Sequence, residues 1–256
     1  MKASAFEFRH RSLIITAIFV LSFSLYALGD ESLVLTLLAW LKRWPSIPPA
    51  GAARALFGLG ATLALLCAII RSWAAAYLDT RVVHDLNLHS ARLVADGPYR
   101  HVRNPLYLGS ILLAFAFVPL TSRFGGLVLI GGMTAFVYRL IGREEAELLD
   151  SQGERFRNYC AAVPRLLPSI APCLPSSGSK ARWPQGLLGE AMMWGFFVAL
   201  AGFALTLDFR IYGFGVAFAL LASVAVKGVV RRESARGPTA AAASAAKTKT
   251  ERHTQP

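Results

Sequence analysis

The sequence predicts an all-α, multi-pass transmembrane helical bundle of about six spans with a short helical cap on its cytoplasmic face, and three observations carry that prediction. First, 55% of the 256 residues are hydrophobic and only 16% are charged, which is too apolar for an ordinary soluble domain. Second, charge-free apolar windows cover 12–29, 55–70, 104–122, 124–138, 191–207 and 211–226. Each falls slightly short of the ~20 residues that cross a ~30 Å hydrocarbon core, but flanking Arg, Lys, Trp and Tyr side chains snorkel and extend them. Third, six spans put both termini on one side, and that side then carries 22 of the 27 Lys and Arg residues. By the positive-inside rule the basic face is cytoplasmic, in a bacterial cell the inside of the inner membrane.

The chain divides into N-terminal transmembrane helices (1–80), a core with a transmembrane hairpin and two polar motifs (81–168), a Pro, Ser and Gly-rich linker (169–186), a C-terminal transmembrane hairpin (187–230) and a tail (231–256). The basic residues 1–11 followed by an apolar run have the form of a secretory signal with an Ala27-x-Gly29 cleavage site. A retained first span is the better reading, because the run is long for a signal and more spans follow. Residues 32–41 are apolar but too short to cross, so they predict an interfacial or re-entrant helix. The stretch KRWPSIPPAG at 42–51 predicts a rigid external turn, since its prolines cannot continue a helix.

Gly58-Leu59-Gly60 lies in the second span without a preceding strand or a third glycine, so close helix packing explains it better than a nucleotide loop. His84 and His89 are five apart and do not share a helical face; solvated interfacial histidines are the reading, and no metal site is expected. Cys67, Cys160 and Cys173 show neither metal nor disulfide spacing. Gly125-Gly126 suggests the turn between the third and fourth spans. Gly195, Ala199 and Gly202, with Gly215 and Ala219, are small residues at spacings that favour helix contact, which makes the last hairpin a scaffold or an oligomer surface. The tail is Ala, Lys and Thr-rich without a periodic apolar face, a composition of disorder. The net charge of +12 is explained by basic loops at an anionic leaflet. No basic module with interleaved aromatics points to nucleic acid.

Two polar stretches stand where membrane-length runs meet water. Residues 96–109 read DGPYRHVRNPLYLG, and 143–168 begin REEAELL and end ERFRNYCAAVPRLLP. Ionisable groups against hydrocarbon are costly, which marks them as a candidate site, and a hairpin of two antiparallel spans returns the second stretch to the side of the first. Gly97-Pro98 sets a turn, Arg100, His101 and Arg103 supply cationic donors, and Asn104-Pro105 breaks the chain before the third span. An anion fits there, with Tyr99, Pro105, Leu106 and Tyr107 as flat apolar surface for a planar base. Glu144 and Glu145 cannot share a helical face, so one should enter the cavity while the other pairs with an arginine or solvent. Phe156, Tyr159 and Val163 form a lid-like stripe. Simple anchoring of span ends accounts for Arg123, Arg139 and Arg210, but calls for neither the Asn-Pro break nor the paired carboxylates.

The run 97–109, Glu144-Glu145 with Leu148, and Gly153 through Phe156, Tyr159, Pro164-Arg165 and Pro168 together resemble the isoprenylcysteine carboxyl methyltransferase family and its phospholipid methyltransferase relatives. The likeness covers about 81–168. It implies S-adenosylmethionine held by His101, Arg103, Asn104, Pro105, Tyr107, Leu108, Gly109, Glu144 and Glu145, with Arg103 and Glu144 as catalytic residues. It also implies methyl transfer to a lipidic or prenylated acceptor entering sideways from the bilayer. Eukaryotic carboxyl methyltransferases of the family have His where Asn104 stands, while bacterial members often have Asn. Three other functions fit parts of the sequence: phospholipid N-methylation, a nicotinamide-dependent sterol-type reductase, and a transporter or structural module. The reductase wants a 2′-phosphate site beyond generic arginines, and the transporter wants broken or charged helices near the midplane.

Overall fold

The computed structural model describes residues 2–28, 31–41, 48–78, 95–226 and 228. The paired histidines His84 and His89, most of the 42–51 turn and the tail beyond 228 lie outside the described residues. Within them the chain is helical and forms no named strand; a single bridge joins Ser32 and Ser122.

The elements in order are α1 (Ala5–Arg9), α2 (Arg11–Ser24), α3 (Leu33–Leu41), α4 (Pro49–Tyr77), α5 (Pro105–Phe117), α6 (Arg123–Gln152), α7 (Glu154–Ala162), α8 (Trp183–Gly189), α9 (Ala191–Thr206) and α10 (Phe209–Val226). All six apolar windows fall on helices, but the span count is lower than six. Four helical segments, Arg11–Leu28, Pro49–Tyr77, Arg123–Gln152 and Phe209–Val226, are long and apolar enough to cross, and the pair α8 and α9, bent by 61°, makes a fifth if taken as one span. The third window fails on length: its helix, Pro105–Leu120, starts only at the proline after Asn104 and ends in a 3-10 turn at Pro119. Prolines bracket it at both ends, and neither can be carried in a helix interior.

α4 is the central element, packed against α5, α8 and α9, while α2 lies on α6 and α5 on α6. Its core face is built from Ala61, Ala64, Ala68, Ala74, Ala75 and Ala76. In a bilayer, helices gain little from hiding apolar surface and associate through close packing, which small side chains permit. Gly60 shows the limit: a Cβ there would sit 2.6 Å from the carbonyl oxygen of Ala116 on α5. The pair Gly125-Gly126 is not the turn. The turn is 118–122, Ser122 caps α6 by accepting from the Gly125 amide at 3.1 Å, and Gly125 backs onto the Ser22 carbonyl of α2. The glycines serve helix contact rather than chain reversal.

The C-terminal hairpin is stitched to α4. Trp194 Nε1 donates to Ser72 Oγ at 2.9 Å, the Arg182 amide to the Ala76 carbonyl at 2.7 Å, and a Cβ on Gly186 would lie 2.8 Å from the Ala76 nitrogen. Its small residues are used inside the chain: Gly195 faces Ala219 and Gly215 faces Ala199.

Candidate functional site

The α5–α6 hairpin brings the two polar stretches to one end of the bundle. Gly97–Arg100 forms a 3-10 turn, and Gly97 has a positive φ of 57° that a side chain would strain. The Arg103 amide then donates to the Pro164 carbonyl at 2.9 Å, and the Ser169 amide to the His101 carbonyl at 2.9 Å. These backbone bonds lay the two stretches side by side.

On that frame, Arg103 Nη1 stands 3.5 Å from Glu145 Oε1. Asn104, the N-cap of α5, donates from Nδ2 to Glu145 Oε1 at 3.4 Å and to the Arg165 carbonyl at 3.0 Å, and Arg165 pairs with the other Glu145 oxygen. Residues some sixty positions apart in the chain, Arg103 and Asn104 on one side and Arg165 on the other, thus share one carboxylate. Arg103 is only 13% exposed, and its Nε is buried without a hydrogen-bond partner. An orphaned guanidinium donor costs free energy unless something accepts from it.

Glu144 faces the other way, to the Tyr107 hydroxyl. The carboxylates therefore have different surroundings: Glu145 is ringed by cationic and amide donors, and Glu144 stands beside the Tyr107 hydroxyl. Pro105 is buried at the first position of α5 and Leu108 continues its first turn, donating to the Asn104 carbonyl at 3.0 Å. Gly109 lies under Arg71 of α4, whose Cδ a Cβ would approach to 2.7 Å. His101 turns from the carboxylates: its Nδ1 is 2.9 Å from the Ser169 carbonyl and its ring 5.8 Å from that of Trp73.

The predicted lid stripe is a packed cluster of Phe156, Tyr159 and Val163, with Tyr159 donating its hydroxyl to the Tyr99 carbonyl at 2.8 Å. Burial pushes the Tyr159 phenol up from its usual range, so it stays a donor. Asp96 anchors the linker. Its carboxylate is buried and accepts from Ser176 Oγ at 3.0 Å, from the Ser177 and Ser179 amides at 2.9 and 3.0 Å, and from the Ser177 hydroxyl, whose hydrogen bonds hold it well below the usual carboxylate range.

Sequence reasoning missed two features. Arg71 donates to both oxygens of Glu190 at 2.7 and 3.0 Å and, through Nη1, to the Leu106 carbonyl and Ser110 Oγ at 3.0 Å each. Glu190 sits at the bend between α8 and α9 and is 2% exposed. The signal was present: each is a lone charge at the edge of an apolar window, and such charges pair when buried. The second feature is the N-terminal segment, where Ser4 and Glu7 form a capping box and Glu7 grips Arg139 Nη2 at 2.9 and 2.7 Å.

A bundle of apolar helices that closes two distant basic and acidic motifs into a buried polar site defines a multi-pass membrane protein with the layout of an enzyme. Residues 55–152 match the model of the phospholipid methyltransferase family, in keeping with the membrane methyltransferases that the motifs resemble. The chain is also similar to proteins named methanethiol S-methyltransferase. With that of Pseudomonas deceptionensis it shares 39% identity over 74 residues, 28% of this chain and 27% of the relative. With that of Mycobacterium tuberculosis it shares 29% over 160 residues, 54% and 60%, and with that of Crocosphaera subtropica 36% over 72 residues, 28% of each. These matches span no more than 60% of the curated relatives' length. No solved structure matches the chain.

Proposed function

We propose that the protein is an integral membrane S-adenosylmethionine-dependent methyltransferase acting on a small apolar thiol. The observation that carries this reading is the composite of Arg103, Asn104 and Glu145 with a buried, unpartnered Arg103 Nε, next to the Glu144–Tyr107 pair. Those residues suit the cofactor: Arg103 Nε and Nη1 would donate to its carboxylate, Glu145 and Asn104 would hold its amino or ribose groups, and the Tyr107 face tolerates a nearby sulfonium. When bound, S-adenosylmethionine supplies an electrophilic methyl group on a positively charged sulfur.

The chain's own part is to orient the acceptor, exclude water and take one proton. Glu144 would receive the thiol proton as the acceptor sulfur takes the methyl group that the bound cofactor would supply, so that acceptor and cofactor would both leave as neutral thioethers. The relatives named as methanethiol S-methyltransferases support a sulfur acceptor. The family description favours a second reading, a phospholipid acceptor. The charge asymmetry of the sequence supports a site facing the cytoplasm of a bacterial inner membrane.

The test is transfer of labelled methyl by the purified protein in nanodiscs offered methanethiol or bilayer phospholipid. Label in headspace dimethyl sulfide that disappears in Arg103→Ala and Glu144→Gln supports the proposal. Label confined to the lipid fraction selects the second reading, and no transfer to either overturns both.

A further inference from the structure

The segment 2–11 lies outside the family match at 55–152, yet it is latched onto α6 beside the site by several hydrogen bonds. The Ala3 amide donates to the Arg139 carbonyl at 2.9 Å, Arg143 Nη1 to the Ala3 carbonyl at 3.3 Å, and Glu7 holds Arg139 by both oxygens. Arg139 and Arg143 are one turn apart on α6, directly before Glu144. Between these latches Phe8 is 6% exposed and packs with Phe136, Leu140 and Tyr107. Its ring is flanked by the guanidinium groups of Arg11, at 4.6 Å from the centroid, and Arg143, at 5.6 Å. Arg11 donates to the Phe8 carbonyl at 3.2 Å, and its charge acts on both Glu144 and Tyr107.

The surroundings of the two carboxylates therefore differ in chemistry. Around Glu145 stand Arg103, Asn104 and Arg165, which suits a zwitterionic ligand. Beside Glu144, Tyr107 packs against the buried cluster of Phe8, Phe136 and Leu140, and Arg11 lies over the Phe8 ring.

We infer that the acceptor binds beside Glu144 and Tyr107 and that Phe8, supplied by the N-terminal helix, sets the size of acceptor taken there. Glu144 and Arg11 recognise one ionisable head, a thiol or thiolate, and the Phe8 ring limits the length of its apolar tail. The inference rests on the thiol methyltransferase reading and adds a specificity-determining residue from outside the family segment.

The experiment compares methyl transfer to methanethiol and to 1-hexanethiol by the full chain in nanodiscs, with Phe8→Ala and Phe8→Trp beside the unsubstituted protein. Each added methylene in an apolar pocket is worth about tenfold or more in discrimination. Phe8→Ala should raise the kcat/KM ratio of hexanethiol to methanethiol by about tenfold and Phe8→Trp should lower it, while binding of S-adenosylhomocysteine is retained. Should Phe8→Ala fail to fold, Phe8→Trp and Phe8→Leu carry the same comparison in opposite directions. A ratio that stays where it was in these variants, with transfer intact, overturns the inference alone. Absence of transfer to either thiol by the unsubstituted chain overturns the parent reading and this one with it.

Discussion

Arg103 and Glu145 meet across a gap of some forty residues, and the quality of that meeting can be tested residue by residue. Replacing Arg103 with Lys keeps a positive charge but loses the planar fork and the orphaned Nε. Binding of S-adenosylhomocysteine, measured by calorimetry in detergent, is expected to weaken by about 1.5–3 kcal/mol, the worth of hydrogen bonds to a charged group. Tyr107→Phe tests the other carboxylate. It removes the hydroxyl facing Glu144 and keeps the ring against the cluster that contains Phe8, so cofactor-product binding should change little while transfer falls by about tenfold, one hydrogen bond's worth. At this scale the sequence showed much: the Asn-Pro break, the arginine and the paired carboxylates are side by side in 96–109 and 143–168. It did not show which carboxylate took which partner. Neighbours on a helix point about 100° apart, and only the placement of α5 and the 164–165 strand of backbone decides what each one meets.

The helices carry a different set of constraints. Arg71 on α4 spends its donors on Glu190 and on α5, and so ties three elements together beneath Gly109. Glu190→Ala leaves a guanidinium buried without its counter-ion, and the expected loss is about 3–5 kcal/mol of stability, read from unfolding in detergent. The double variant Arg71→Met, Glu190→Leu should recover much of that loss, because a matched apolar pair needs no desolvation. The N-terminal helix gives a pH signature. Its Glu7 is held down to about 2 by hydrogen bonds from Arg139 and Ser4. A carboxyl lowered by folding lends stability that is present above its ordinary pKa of ~4.3 and is lost as pH falls through the folded value. A spin label at Lys2→Cys should therefore be immobile at neutral pH and loosen from about pH 4 downward, and Glu7→Gln should abolish the transition. The six apolar windows all became helices, which periodicity and composition can show. The shortness of the third was also in the sequence, in the prolines at 105 and 119, but its consequence for the span count depended on where the helix started and stopped.

For the whole molecule the decisive fact is that segments beyond the family match complete the core rather than surround it. α8 and α9 pack on α4, and Asp96 fastens the linker by accepting from three serines. Asp96→Asn is expected to keep the bundle but release the linker, seen as faster proteolysis within 169–182 at unchanged span stability. The amide is neutral and can accept at only one atom, whereas the carboxylate accepts at both oxygens. Composition by itself determined that this is a multi-pass helical membrane protein, because transfer into hydrocarbon is governed by residue type and run length. Motif content determined the family resemblance. Only the tertiary structure decided that Glu144 and Glu145 take different partners, that Arg71 and Glu190 form a buried pair, and that the N-terminal helix reaches the site. Those outcomes follow from the close approach of helices, set by small residues at Gly60, Gly109 and Gly186, and the closeness of two surfaces is a property of neither sequence segment alone.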